Sequence, residues 1–343
     1  MRKLLNVLYV TDPDVYLAVD GQTLLIKKDN ATNLKLPLLN LENIICFNFP
    51  GVSPALMQAC CEKNIGLCFL SPYGRFLGRV SGKVTGNVLL RRQQYRISDN
   101  KEESAKIGAL FLIGKLYNCM KVLNRAVRDH PMIVDCDQLI NASQELKAYC
   151  LKAETIETID ELMGLEGIAG KTYFSVFNEL ILQQKEHFFF VSRSRRPPRD
   201  NLNAILSFFY VLLANDVSSA LETVGLDPYV GFLHQDRPGR PSLALDLMEE
   251  LRPVFADRLA LSLINRRQIA PTGFVKQETG GVLMDDDTRR TVLTAWQERK
   301  KQIISHPFLN EKIPFGLVPY VQALLLARFI RGDLDAYPPF FWK

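Results

Sequence analysis

Two stretches of this 343-residue sequence bring together side chains able to do chemistry. The first runs Gly231-Phe232-Leu233-His234-Gln235-Asp236-Arg237-Pro238-Gly239-Arg240-Pro241-Ser242 and continues into Leu243-Ala244-Leu245-Asp246-Leu247-Met248-Glu249-Glu250. His234 sits in a loop rich in Arg, Gly and Pro. On the helix that follows, Asp246 and Glu249 are three apart and share a face, and Glu250 is four from Asp246. The leucines and methionine around them imply burial, and a buried carboxylate is costly unless it is paired or binds a metal. One imidazole nitrogen with carboxylate oxygens from separate segments suits Mg2+ or Mn2+. A buried acid–base network uses the same residues, so spacing alone leaves both readings open.

The second stretch is Leu165-Glu166-Gly167-Ile168-Ala169-Gly170-Lys171-Thr172. At a glance it is a phosphate-binding P-loop, which needs Gly-x-x-x-x-Gly-Lys-[Ser/Thr] between a strand and a helix. The first glycine is out of place: Leu165 stands where it is needed, and Gly164 is one too far. The preceding Ile159-Asp160-Glu161-Leu162-Met163 has an acidic helical pattern, not that of a buried strand. A nucleotide site is therefore disfavoured. What remains is an acid, small residues allowing close approach, and Lys171-Thr172-Tyr173 entering a helix.

Charge adds a direction. Lys+Arg 42 against Asp+Glu 37 gives only +5, but the distribution is uneven. Ser71–Asn100 holds six basic residues, Arg75, Arg79, Lys83, Arg91, Arg92 and Arg96, against the single acid Asp99. Lys185–Arg199 holds five, Lys185, Arg193, Arg195, Arg196 and Arg199, against Glu186. Between them lie Glu154, Glu157, Asp160, Glu161 and Glu166. Basic stripes beside a carboxylate centre suit an enzyme that cuts or joins a polyanion. A run of charge is also the ordinary solvated face of a protein.

The elements that must position these residues fall into two groups. The first ninety or so residues read as strands. Asp20-Gly21 between Val15–Val19 and Thr23–Ile26 signals a tight hairpin, and Pro72-Tyr73-Gly74 another turn. Ser53 is placed to cap a short helix through Lys63. From about Lys101 the apolar spacing becomes helical, with Ile107, Leu110, Ile113, Tyr117 and Met120 on one face. Helical patterns continue over 139–154, 158–165, 169–182, 203–224, 243–264, 286–304 and 318–331. Asp285-Asp286-Asp287 reads as the cap and first turn of one of these helices. His187 reads as core and His306-Pro307 as a helix end. The aromatic ending Tyr337-Pro338-Pro339-Phe340-Phe341-Trp342-Lys343 packs on its own domain, docks a partner or stacks on a base. The fold class expected is two-domain α+β. A small β-sandwich-like domain over 1–95 precedes an all-helical, metal-binding domain over 96–343. At 47% hydrophobic and 23% charged the composition is that of an ordinary globular protein. No run reaches about 18 consecutive apolar residues, so no membrane span is expected. Seven scattered cysteines without CxxC spacing point to thiols in a reducing, cytoplasmic setting.

Three stretches together resemble the CRISPR adaptation integrase family, the larger Cas endonuclease/integrase subunit of the spacer-acquisition complex. They are Leu162-Met163-Gly164-Leu165-Glu166-Gly167 through Lys171-Thr172-Tyr173-Phe174; Arg196-Pro197-Pro198-Arg199-Asp200 with Asn203-Ala204 and Leu206-Ser207-Phe208; and Gly225-Leu226-Asp227-Pro228 through His234 to Glu249. Pro319-Tyr320-Val321-Gln322-Ala323 and Pro338-Pro339-Phe340 are similar to the subtype I-C branch. The resemblance implies one Mg2+ or Mn2+ held by Glu166, His234 and Glu249. Asp246 would be a supporting group or an alternative ligand, and many members carry aspartate where Glu249 stands. It implies a homodimer formed through the β domain, two dimers clamping a small ferredoxin-like subunit, and double-stranded prespacer and repeat DNA as substrates. Prespacer 3′-hydroxyls would be joined to the repeat array by transesterification, with phosphodiester cleavage as a related activity. A RecB-like nuclease subunit is a further candidate partner. By role, Lys171, Arg193, Arg195, Arg196 and Arg199 would hold phosphates, with Arg237 and Arg240 nearer the centre. Tyr173 and Tyr229 would position DNA, or simply pack. The alternative is a basic, non-catalytic DNA scaffold.

Overall fold

The computed structural model describes residues 6–29, 31–47, 50–71, 76–82, 87–195 and 197–343. Arg75, Lys83, Arg196 and the Pro72-Tyr73-Gly74 turn lie outside the described residues. The chain divides into two compact units, Met1–Thr85 and Gly86–Lys343.

The first unit contains β1 (Asn6–Val10), β2 (Tyr16–Asp20), β3 (Thr23–Lys28), β4 (Ala31–Pro37), β5 (Leu41–Phe47), β6 (Gly51–Val52), α1 (Pro54–Lys63), β7 (Gly66–Leu70) and β8 (Phe76–Val80). They form two four-stranded sheets, ordered β1-β5-β7-β8 and β4-β3-β2-β6. β1, β5 and β7 run parallel. The tight hairpin forms where expected: Asp20 pairs with Thr23, and Gly21 takes φ +55°, a conformation glycine adopts without strain. Ser53 caps α1, its hydroxyl accepting from Leu56 N. Leu17 and Leu24 of one sheet, Ile44 and Leu67 of the other, and Leu56 of α1 belong to one core cluster. The alternating apolar positions of the strands therefore face a shared interior, as in a sandwich.

The second unit contains α2 (Val88–Asp99), α3 (Lys101–Asp129), α4 (Cys136–Ala153), α5 (Ile159–Ser175), α6 (Asn201–Val224), α7 (Ser242–Glu249), α8 (Arg258–Asn265), β9 (Phe274–Lys276), β10 (Val282–Met284), α9 (Asp286–Lys301), β11 (Ile303–Ser305), β12 (Lys312–Pro314) and α10 (Val318–Ile330). It is not all-helical: β9/β10 and β11/β12 are small antiparallel hairpins. The division between units falls earlier than 95/96, which lies inside α2. That helix belongs with the second unit because buried Gln94 donates to Asp227 O and Val230 O, both at 2.8 Å.

Helix expectations failed in two places. The pattern over 158–165 and the first half of that over 169–182 are joined in one helix, α5, with Glu166 near its middle, and the rest becomes a 3-10 turn at Phe177–Leu180. Leu162, Leu165, Ala169 and Tyr173 form its buried stripe, so packing carries the helix through the glycines. The P-loop resemblance ends here, since Gly167 and Gly170 lie inside a helix and not in a loop between a strand and a helix. Conversely, the pattern over 243–264 is broken: α7 stops at Glu249 and a π-helical turn spans Arg252–Asp257 before α8. Pro253 lacks the N–H that a continuous helix needs there. His187 is exposed rather than core. His306 is fully buried beyond β11 rather than ending a helix.

Capping at α9 follows expectation, with Asp285 accepting from Thr288 N at 2.8 Å. α6 is long and apolar enough to cross a membrane by length and composition. Leu206, Phe209, Leu213 and Val217 on it are nevertheless fully buried, as in a core helix. Among the described residues all seven cysteines are free thiols. The aromatic tail packs on its own unit, burying Tyr337 and Phe340.

Candidate active site

Three helices and one loop build the centre. α3 brings Lys115, α5 brings Glu166, α7 ends on Glu249, and the loop before α7 carries His234. The Lys115 ammonium sits between two carboxylates. It pairs with Glu166 Oε1, and its Nζ lies 2.9 Å from Glu249 Oε2. Arg252 Nη1 meets the other Glu249 oxygen at 2.6 Å. Burial alone would raise the Glu249 carboxyl, but Arg252, Lys115 and His234 outweigh it and hold it down at about 2. Glu249 is thus ionised at any working pH. Burial would lower the Lys115 ammonium, and Glu249 and Glu166 reverse this, holding it above its ordinary value.

His234 is held from behind. Asp246, fully buried, accepts from His234 Nδ1 at 2.6 Å and from the backbone N–H groups of Phe232, Leu233 and His234 at 2.7, 3.0 and 2.9 Å. The bond fixes the proton on Nδ1 and leaves the Nε2 lone pair facing away from Asp246. Nε2 has no partner among the described residues. The loop can close this tightly because residue 231 is glycine: a Cβ there would lie 2.8 Å from Ser242 Cβ and 2.9 Å from Asp246 Oδ2. Gln94 and Ser98 of α2 fix the start of the same loop, Ser98 Oγ donating to Gly231 O at 2.9 Å. Both oxygens of Asp246 are thus engaged by the His234 loop.

A cavity of about 450 Å³ opens beside Glu166, lined in part by Lys115, Lys171, Arg193, Arg195 and Arg252. Its inner wall holds Asp257, which accepts from Tyr210 OH at 2.7 Å. Burial raises the Asp257 carboxyl to about 6, with Tyr210, Arg252 and Arg193 opposing.

The sequence-derived residues divide by place. Glu166 and Glu249 meet at Lys115, His234 is paired with Asp246 and near enough to Glu249 to act on its charge, and Lys171, Tyr173, Arg193 and Arg195 line the cavity. Arg193 is already engaged, donating to Asn203 Oδ1 at 2.6 Å and Ser207 Oγ at 3.1 Å. Tyr173 is buried against Phe174 and Phe177, so packing is its visible role. Arg199, Tyr229 and Arg237 are exposed. Burial and neighbouring Arg237 lower the half-buried Arg240 guanidinium. Arg196 lies outside the described residues. Sequence reasoning missed Lys115 and Arg252. The available signals were a lone lysine in the apolar stretch of α3 and an arginine three residues after Glu249.

Among the described residues no three His, Cys, Asp or Glu side chains already gather around one metal position. The donor set nevertheless fits a hard cation. Glu249 is buried and its Oε2 meets the Lys115 ammonium at 2.9 Å, and that ammonium marks the point where Glu166 and Glu249 both face positive charge. With the free Nε2 of His234, that is two carboxylates and one imidazole.

The family model described as CRISPR associated protein Cas1 matches residues 8–298. The chain belongs to the Cas1 family. A relative from Rhodospirillum rubrum named CRISPR-associated endonuclease Cas1 2 is 51% identical over 347 residues, covering 100% of both chains. Another from Chlorobaculum tepidum, named CRISPR-associated endonuclease Cas1 1, is 49% identical over 344 residues, again 100% of both. The fold is shared with a solved Cas1 protein from Thermotoga maritima, at TM-score 0.82 and 24% identity over 95% of this chain and 97% of that one. A casposase bound to integration product has the same fold, at TM-score 0.82 and 22% identity over 100% and 95%. The resemblance read from three short motifs was to this family, and it extends along the whole chain.

Proposed function

We propose that this Cas1-family chain is a metal-dependent endonuclease and integrase acting in CRISPR spacer acquisition. The observation that carries the proposal is the convergence of Glu166 and Glu249, from separate helices, on one positive charge beside an imidazole oriented by Asp246. Glu166, Glu249 and His234 Nε2 would hold Mg2+ or Mn2+, which when bound polarises a phosphate and steadies charge on its oxygens.

The chain's own residues do the rest. Glu249, held ionised by Arg252 and Lys115, keeps negative charge at the centre at working pH. Asp246 keeps His234 in one tautomer. Lys171, Arg195, Arg237 and Arg240 hold DNA phosphates, bringing a 3′-hydroxyl in line with the target phosphodiester. The new P–O bond forms as the target's 3′-oxygen bond to that phosphorus breaks, and the departing oxygen takes a proton. With water as nucleophile the same steps cut the strand. No covalent enzyme intermediate is needed.

The partners that go with this reading are a second copy of the chain, the small ferredoxin-like subunit and a RecB-like nuclease subunit, in the cytoplasm. Exposed Tyr16, Leu34 and Leu39 of the first unit are where we place self-association.

One observation favours a non-catalytic scaffold: a lysine between two glutamates is also a complete structural ion-pair network. Strand transfer of a short duplex with free 3′-hydroxyls into a supercoiled plasmid carrying a repeat decides between them. The assay contains the small partner subunit and Mg2+ or Mn2+. Wild type should give joined product, and Glu166→Ala, His234→Ala and Glu249→Ala should give none while still binding DNA. Wild type that binds but never joins, with the partner present, would overturn the integrase reading.

A further inference from the structure

Beyond the cavity lies a group of cations with too few counter-charges. Arg258 opens α8 directly after Asp257. Its guanidinium carbon lies 5.3 Å from the centre of the Trp342 ring. No hydrogen bond or ion pair reaches it among the described residues, and its Nη1 is enclosed without a partner. Arg299 of α9 lies over the same ring at 5.7 Å and over Phe315 at 4.9 Å. It donates to Val254 O at 2.8 Å and Gln302 Oε1 at 2.7 Å, which leaves its Nε enclosed and unpartnered. Arg125 and Arg128, on the last turns of α3, complete the group. The carboxylate among them is Asp129, already shared by Arg125 at 3.0 Å and Arg128 at 2.8 Å. Burial first, then the charge of Arg125, pushes the Arg258 guanidinium down to about 10 against the pull of Asp129. Burial and Arg258 push Arg299 down to about 9.

A partly enclosed guanidinium with unmade hydrogen bonds, flanked by other guanidiniums, is unfavourable unless an anion completes it. Its planar fork matches two oxygens of a phosphate. The Trp342 ring holds two of the forks in place, so little ordering is required on binding. The Arg125 and Arg128 side chains are 47% and 70% exposed, which leaves the outer face open to a large polyanion. The group also adjoins the candidate centre. Arg258 is close enough to Tyr173, a cavity wall residue, to interact electrostatically with it. Arg125 follows Lys115 by ten residues on α3, about 15 Å along the helix and so about four base pairs of duplex.

We propose that Arg125, Arg258 and Arg299, backed by Trp342, form a phosphate-binding site that grips the DNA backbone about four base pairs from the candidate centre. The proposal rests on the reading of this chain as a DNA-acting enzyme. It contacts phosphate alone, so its contribution is the same for every sequence.

The test is binding of a labelled duplex by fluorescence anisotropy across about 50 to about 300 mM KCl. The proteins are wild type, Arg258→Gln, Arg258→Lys and Arg125→Gln, each checked by thermal unfolding. Arg258→Gln and Arg125→Gln should each lower the slope of log affinity against log salt by about 1, equally for unrelated duplexes. Arg258→Lys should keep the slope. Arg125 is exposed, so its variant keeps the test open if Arg258→Gln fails to fold. Wild type without duplex affinity would overturn the DNA reading itself. Wild type that binds, beside glutamine variants with unchanged slope and affinity, would overturn this site alone. Inorganic phosphate raising the melting temperature of wild type but not of Arg258→Gln, with unchanged duplex slopes, would make it a free-anion site and overturn the backbone assignment.

Discussion

At the scale of single residues, the centre is a contest between one lysine and two glutamates. Lys115 is what allows Glu166 and Glu249 to approach each other, because two carboxylates cannot share a site without a cation. Replacing it with methionine keeps the bulk and removes the charge. Lys115→Met should then lose on the order of 3–5 kcal/mol, the cost of stranding a buried charge. Urea unfolding measures the loss, and millimolar Mn2+ should restore part of it in the variant but not in wild type. Unchanged stability would mean that the carboxylates do not depend on a shared cation. Asp246 offers a second case. Its oxygens accept four hydrogen bonds from the His234 loop. Asparagine keeps the shape but turns a donor toward two of those donors. Asp246→Asn should therefore cost on the order of 3 kcal/mol and abolish strand transfer by freeing His234. Calorimetry and the plasmid assay read the two effects separately. Full activity in this variant would remove Asp246 from its positioning role.

At the scale of elements, the caps show how secondary structure reaches the site. Asp200 caps α6, accepting from Asn203 N at 2.7 Å and from Asn203 Nδ2 at 2.6 Å. The same Asn203 then holds Arg193 in the cavity wall. Asp200→Ala should destabilise the protein by about 1–2 kcal/mol and weaken duplex binding through Arg193, while Asp200→Asn should recover the stability. Chemical unfolding beside anisotropy checks both, and an alanine variant with unaltered unfolding would show that the cap is not needed. Features of this local kind were legible in the sequence. Ser53 before α1, Asp285 before α9 and the Asp20-Gly21 hairpin each announce themselves within four residues. The ligand candidates Glu166, His234 and Glu249 come instead from the family resemblance, by matching motifs across the chain. What stayed hidden depends on contacts far along the chain. The helical patterns over 158–165 and 169–182 read as separate, and only the packing of Leu162, Leu165, Ala169 and Tyr173 shows why α5 continues between them. Lys115 looked like one lysine on a long helix until α5 and α7 brought their glutamates to it.

At the scale of the molecule, the chain's last residues bear on its centre. Glu250, next to Glu249, is fully buried and accepts from Tyr337 OH at 2.5 Å, Phe340 N at 2.6 Å and Gln322 Nε2 at 3.0 Å. Asn118 of α3 donates to Glu250 O and to Phe340 O, both at 2.7 Å. The tail is thus fastened to the end of the helix that presents Glu249. Space there is tight: a Cβ on Gly114 would lie 2.9 Å from Glu250 Cγ. Burial pushes the Glu250 carboxyl up to about 8, against the hydrogen bonds from Tyr337, Phe340 and Gln322. The sign follows from linkage. An acid whose pKa is raised on folding favours the protonated folded state, so its contribution is fully present below about 4.5 and is lost as pH rises through about 8. His306, joined to the same network through Gln322, runs the other way. Burial lowers its imidazole to about 4, so its share is present above about 6.5 and lost as pH falls toward about 4. Glu250→Gln leaves His306 in place and removes only the alkaline loss. The difference in unfolding free energy, wild type minus Glu250→Gln, should then fall by a few kcal/mol between about pH 4.5 and about pH 8. Denaturant midpoints for the two proteins across that range measure it. Parallel profiles would mean that Glu250 does not change its charge there, and that the tail is held by the same bonds at every pH.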